Sequence, residues 1–278
     1  MAVTSYMERL LAMLDDPDEK VGVVTLALLL ASGEDLSELT AQLQESPDPL
    51  IRRRIHTLQN AVTMRERRRR IYYSLNKENE DDLDIPAELI NLHLLWFDKD
   101  HPAEVKSVVN DFLKLVEKFP LETLEDAEFL MRKNCFLPEK ESTIRPENYC
   151  IGTVLFHRQG AASVLLALLW HLLGRKKFQL VQVLGNFALM DDKGQILFGS
   201  GSWQLEKLDG AQPVRWSSQM LMRYIASTLL SCAVNSDSYR YVMSITRALT
   251  GDESKHVFDN FPYPFCSAPA DEDEQLEQ

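Results

Sequence analysis

Arg158-Gln159-Gly160-Ala161-Ala162-Ser163-Val164-Leu165-Leu166-Ala167-Leu168-Leu169-Trp170-His171-Leu172-Leu173, followed by Gln179-Leu180-Val181-Gln182-Val183-Leu184-Gly185-Asn186-Phe187-Ala188-Leu189-Met190, is where the architecture of this chain is set. After a short apolar turn at Thr153–Phe156, small residues at Ala161, Ala162 and Ser163 open a helix that is apolar nearly all round, so it should lie at the centre of a domain rather than on its surface. Gln179–Met190, rich in Val and Leu, reads as a β-strand. Asp191-Asp192-Lys193-Gly194 then turns the chain into a second strand over Gln195–Phe198. Trp203–Leu205 and Pro213–Trp216 supply further strands. A central helix against a small antiparallel sheet, within an otherwise helical chain, is an α+β arrangement that is predominantly α.

Working outward, the sequence predicts helices at 89–95, 105–116 and 124–134, with a break at Asp98–Pro102. Met220–Leu230 and Tyr239–Leu249 form a C-terminal helical pair. The first seventy or so residues are also helical, and they repeat. Leu10–Leu14 ends at Asp15-Asp16-Pro17-Asp18 before an apolar helix at Val21–Ala31; thirty residues on, Leu39–Leu43 ends at Glu45-Ser46-Pro47-Asp48 before a helix at Leu50–Val62. An acidic or hydroxyl residue with a Pro is a helix-start signal in both copies. The resulting division is a repeat region over 1–75, a core over 85–216, C-terminal helices over 217–258 and an acidic tail over 266–278. The polar stretch Asn76–Asp84 is the expected linker.

Composition narrows the function classes. The 278 residues are 45% hydrophobic and 26% charged, with a net charge of −12. That balance is globular, and the charge argues against broad nucleic-acid binding. No apolar run approaches the roughly 18–20 residues of a membrane span, and Met1 to Arg9 lacks the pattern of a secretory signal. A cytoplasmic location without membrane contact is the expectation. Cys135, Cys150, Cys232 and Cys266 are scattered without Cys-x-x-Cys spacing, so neither a disulfide framework nor a metal centre is expected. His93 and His101 flank the acidic turn at Asp98 and Asp100, which reads as a solvated loop or, alternatively, a metal-binding turn. Arg52, Arg53, Arg54, Arg67, Arg68, Arg69 and Arg70 form a basic block, open to two readings. It is a patch for phosphate-bearing partners, or a solvated helix end paired with the acids of Glu78–Asp84.

The order of elements after Arg145 resembles the transglutaminase-like (papain-like) superfamily, in particular its bacterial SirB-type branch. The resemblance covers roughly 91–252 and is carried by Asn148, Val154-Leu155, Arg158-x-Gly160, the long helix and the Gly185-Asn186-Phe187 strand, where that branch usually has Gly-His-Phe. Tetratricopeptide-type helices commonly follow in the branch, and the N-terminal hairpins are similar to HEAT repeats. The resemblance implies a nucleophilic Cys at the start of the central helix, a His on the next strand and an Asp on the one after. Here Ala161-Ala162-Ser163, Asn186 and Gly199 stand near those places. Asn186 cannot take a proton, Gly199 has no side chain, and Ser163 without a base is a weak nucleophile or simply a helix cap.

No catalytic residue or cofactor is therefore expected. Arg158, Gly160, Ser163, Asn186 and Gly199 would line a vestigial cleft, and the chain would act as a scaffold for a protein or peptide partner. The alternative is a cysteine-dependent amidase or peptidase using Cys150 with His157 or His171.

Overall fold

The computed structural model describes residues 5–32, 36–76, 83–208, 210 and 212–251. The chain divides into two compact units, residues 1–69 with 251–278, and residues 70–250. The expected acidic tail, the Phe261–Phe265 stretch, Cys266 and most of the expected linker lie outside the described residues.

The first unit contains α1 (Ser5–Leu11), α2 (Glu19–Ala31), α3 (Ser37–Gln44) and most of α4 (Pro49–Leu75). Both Pro-containing turns start helices as expected. Asp18 caps α2 through Lys20 N–H, and Asp48 accepts the N–H of Leu50 at 2.7 Å. A core of Leu10, Leu14, Leu26, Leu29, Leu30, Ile55, Leu58 and Ala61 joins α1, α2 and α4. The helix expected to stop at Val62 instead runs unbroken for 27 residues, through the basic block. Near its start, Arg54 turns inward. Its guanidinium is buried and donates to the carbonyls of Leu14 and Asp16 at 3.1 and 2.7 Å, and to that of Asp18 at 3.1 Å. It lies against Gly22, where an added Cβ would fall 2.1 Å from Cζ. Gly22 is thus a close-approach glycine that lets α2 seat the arginine.

The second unit opens with α5 (Ile85–Trp96), α6 (Pro102–Val116) and α7 (Leu124–Lys133), of which α7 starts on a Thr123/Asp126 capping box. Next come β1 (Leu137–Glu139), α8 (Pro146–Tyr149), α9 (Ile151–His157), β2 (Gln159–Ala161) and the central α10 (Ala162–Leu173). Five strands follow: β3 (Gln179–Val183), β4 (Asn186–Met190), β5 (Gln195–Gly199), β6 (Trp203–Lys207) and β7 (Val214–Arg215). They form one sheet in the order β6-β5-β4-β3-β7, every pairing antiparallel, while β1 and β2 make a separate parallel pair. The chain closes with α11 (Ser218–Asn235) and α12 (Tyr239–Thr250). The architecture is α+β and predominantly α.

Helix α10 is central, as its all-round apolar surface requires. It packs on β3, β4 and β5 on one side and on α5 and α11 on the other. Ten of its residues are buried, and full burial of each large aliphatic side chain contributes about 1.5–3 kcal/mol. The opposite sheet face carries its own small cluster of Val181, Val183, Ala188 and Ile196.

Two local expectations are corrected. Gln179–Met190 is two strands, because Leu184 (φ 50°) and Gly185 (φ 83°) both take the left-handed conformation and make a tight two-residue turn. Thr153–Phe156, expected as an apolar turn, belongs to the short helix α9 despite Gly152. That glycine lets α9 approach α5, since a Cβ there would lie 2.7 Å from the His93 ring. The C-terminal helices α11 and α12 pack against α5 and belong to the same unit as the sheet.

Candidate functional site

The start of α10 is where the resemblance would put a nucleophile, and it is closed by a side chain from elsewhere. Glu141 Oε1 accepts the backbone N–H of Ser163 at 2.7 Å. Glu141 Oε2 accepts the hydroxyls of Tyr149 at 3.1 Å and Tyr224 at 2.9 Å. A carboxylate at a helix N-terminus satisfies otherwise orphaned N–H groups and complements the helix dipole. Burial pushes both tyrosine hydroxyls well above their ordinary range, and the negative charge of Glu141 adds to it. They therefore act as donors to the carboxylate. Tyr224 also packs with Phe187 (ring centroids 5.1 Å) and Trp216 (5.6 Å), walling this end of the unit with aromatic rings.

Ser163 was expected to cap α10 through its own oxygen. It is the second residue of the helix instead, with Ala161 at the cap position, and its buried Oγ has no hydrogen-bond partner among the described residues. Its backbone, not its side chain, is what is capped.

The other residues of the expected cleft separate into different surroundings. Gly199 lies against the start of α10, where a Cβ would come within 3.2 Å of the Ala162 Cβ. Gly160 pairs with Pro138 between β2 and β1, and a Cβ there would fall 2.5 Å from Val154. Asn186 is exposed at the first position of β4. Strand alternation places it on the Ala188 side of the sheet, while Phe187 faces the aromatic wall beside Glu141. Arg158 is at the far end of α9, and no hydrogen bond joins Asn186 to it.

Cys150 is fully buried, and burial first, then the charge of Glu147, drives its thiol well above the usual range. A protonated thiol is a poor nucleophile. His157 sits at the opposite end of α9, roughly 10 Å away along a helix rising 1.5 Å per residue. His171 lies on α10, and burial lowers its pKa. In the His93–Asp98–Asp100–His101 segment the turn is solvated as expected, with Lys99, Asp100 and His101 exposed. His93 is buried with Nε2 2.9 Å from Asp100 Oδ2, and His101 Nδ1 caps α6 by accepting the N–H of Ala103. Among the described residues, no group of three or more His, Cys, Asp or Glu could hold a metal ion.

The basic block is mostly spent on the fold. Arg54, Arg67 and Arg68 are buried. Arg52 donates to the carbonyls of Ser46 (2.6 Å) and Pro47 (3.0 Å), and Arg53 pairs with Glu19 at 2.8 Å. Arg53, Arg69 and Arg70 are the members left exposed. A patch needs its cations at the surface, and three of these seven are turned inward.

An open groove lies between α6 and α9, with a volume of about 490 Å³. Phe112, Phe136 and Leu155 give it an apolar floor, Phe156 an exposed lip, and Lys114, Lys118 and Arg158 a basic rim. Arg158 is held there at a conformational cost. It ends α9 in the left-handed region (φ 55°), a position that favours glycine, and for a side chain of its size this costs about 1–2 kcal/mol. Its guanidinium donates to the carbonyl of Asn134 at 3.1 Å. Of the expected cleft residues, Arg158 alone lines this groove.

Sequence reasoning missed Glu141, Tyr149 and Tyr224, whose meeting involves segments up to 83 residues apart and carries no local pattern. The α6 wall of the groove was not singled out from the sequence, because Lys114 and Lys118 fit the ordinary polar face of an amphipathic helix and its end. Comparison with protein families, curated proteins and solved structures finds no match to this chain. Among the described residues, no helix is long and apolar enough to cross a membrane.

Proposed function

We propose that this protein is a non-catalytic scaffold that binds a protein or peptide segment in the groove between α6 and α9. The observation that carries the reading is the groove itself: about 490 Å³, open, apolar at its floor and polar at its rim. That volume lies within the usual range for binding clefts of roughly 300–1,000 Å³. The exposed Phe156 supports it, because its ring, set edge-to-face against His157, is still 74% exposed at the edge of an apolar floor.

The transglutaminase-like resemblance enters as architecture without chemistry. Support comes from the start of α10, where Glu141 occupies the N–H group a nucleophile would use, and from Cys150, whose thiol burial keeps protonated.

A photo-crosslinking amino acid placed at Phe156, compared with one at the equally exposed Tyr239, tests the reading in cells. Discrete adducts from position 156, absent from position 239, are the expected result. Equal or absent crosslinking from both would sink it.

A further inference from the structure

We infer that the segment received by this groove is acidic, with an apolar side chain seated on the floor and neighbouring carboxylates meeting Arg158 and Lys118. This rests on the reading of the groove as a binding site and adds the chemistry of its occupant.

Charge bookkeeping around the rim supports it. Four ionisable side chains line the groove: Asp111, Lys114, Lys118 and Arg158. Asp111 and Lys114 neutralise one another at 3.4 Å. Among the described residues, neither Lys118 nor Arg158 has an acidic partner, so the rim keeps two positive charges in a chain whose net charge is −12. Lys118 stands two residues beyond α6, where the helix dipole favours a cation. Arg158 likewise caps the C-terminal end of α9 and takes a left-handed backbone to be there. Only one guanidinium nitrogen is used, on the Asn134 carbonyl, and the rest of the fork matches a carboxylate in two-point geometry.

Size and polarity choose between kinds of occupant. The floor presents Phe112, Phe136 and Leu155 with Phe156 at the lip, which a bare inorganic anion would leave uncovered. A short peptide that alternates apolar and acidic side chains covers floor and rim together.

The test is selection of a randomised eight-residue peptide-display library on the full-length protein, with counter-selection on the Phe156→Ser and Arg158→Glu variants. Both residues are exposed, and circular dichroism verifies that each variant keeps its fold. Enriched sequences are expected to place Asp or Glu beside an aromatic or aliphatic residue. A synthetic peptide made from them should lose about tenfold or more in affinity on Arg158→Gln, and similarly when its acids are replaced by amides. Enrichment of neutral or basic peptides that still require Phe156 would overturn the acidic occupant while leaving the groove as a binding site. Enrichment indifferent to both substitutions, or none at all, would overturn both.

Discussion

Glu141 and Ser163 are joined by a 2.7 Å hydrogen bond from the Ser163 backbone N–H to the Glu141 carboxylate, across 22 residues of chain. One side chain thereby closes the central helix and, through Tyr149 and Tyr224, ties α8 and α11 to it. An isolated helix of this length is marginal, so its end has to be completed by the rest of the fold.

Removing that carboxylate should be felt as the loss of a cap together with a tyrosine acceptor. Glu141→Ala is expected to destabilise the protein by roughly 1–3 kcal/mol, since a lost cap costs about 0.5–2 kcal/mol and Tyr224 loses its acceptor as well. Glu141→Gln, which keeps an oxygen in place, should cost less than half as much. Urea unfolding provides the comparison, and a loss below about 0.5 kcal/mol for the alanine variant would contradict the capping role.

Alkaline pH should act on the same cluster. The folded pKa values of Tyr149 and Tyr224 are raised above the ordinary value near 10 by burial and by Glu141. With both raised, the folded state binds more protons than the unfolded one above that value. Their contribution is therefore complete below about pH 10 and is lost as the pH climbs beyond it. Titration followed at 295 nm should show two of the 8 tyrosines ionising only as the helical signal collapses. In Tyr224→Phe one of these late ionisations should vanish. Early, reversible ionisation of all the tyrosines would refute this.

Thiol chemistry should follow burial. Cys135 is exposed and Cys150 is fully buried with a raised pKa. Iodoacetamide at pH 8 is expected to alkylate Cys135 in the native protein and to reach Cys150 only after denaturant is added. Peptide mapping by mass spectrometry reads the order directly. Rapid native labelling of Cys150 would revive a cysteine nucleophile.

The β3–β4 turn carries avoidable strain. Leu184 adopts φ 50° and is 90% exposed, so its side chain returns no burial for its left-handed backbone. Leu184→Asn should stabilise the protein by about 0.5–1 kcal/mol and raise the melting temperature by a few degrees. A lower melting temperature would show that Leu184 is held by contacts other than its own turn.

Much of the fold was legible because its causes are local. The apolar run of α10, the Asp191–Gly194 turn and the Pro-marked helix starts depend on residues within a few positions of one another. Asp191, for example, accepts N–H groups from Lys193 and Gln195 at 2.9 and 2.8 Å. The Leu184-Gly185 turn was hidden because its first residue gives no turn signal. Helix α9 was hidden because Gly152 weakens a helix while serving the approach of His93. The candidate site was less legible still. Arg158 was identified by a motif, but the α6 side chains opposite it come from a segment more than forty residues earlier.

At the start of α10, then, the sequence by itself determined that a buried apolar helix begins after Gly160 and meets strands in an α+β unit, since helical and strand periodicities are properties of short stretches. It also determined that Asn186 and Gly199 bring neither base nor acid. Only the tertiary structure decided that Glu141, rather than Ser163, completes that helix, that Arg54 turns inward against Gly22, and that Arg158 faces α6 rather than Asn186. The reason is physical: a buried donor or charge must find a partner, and which partner it finds depends on how distant segments pack.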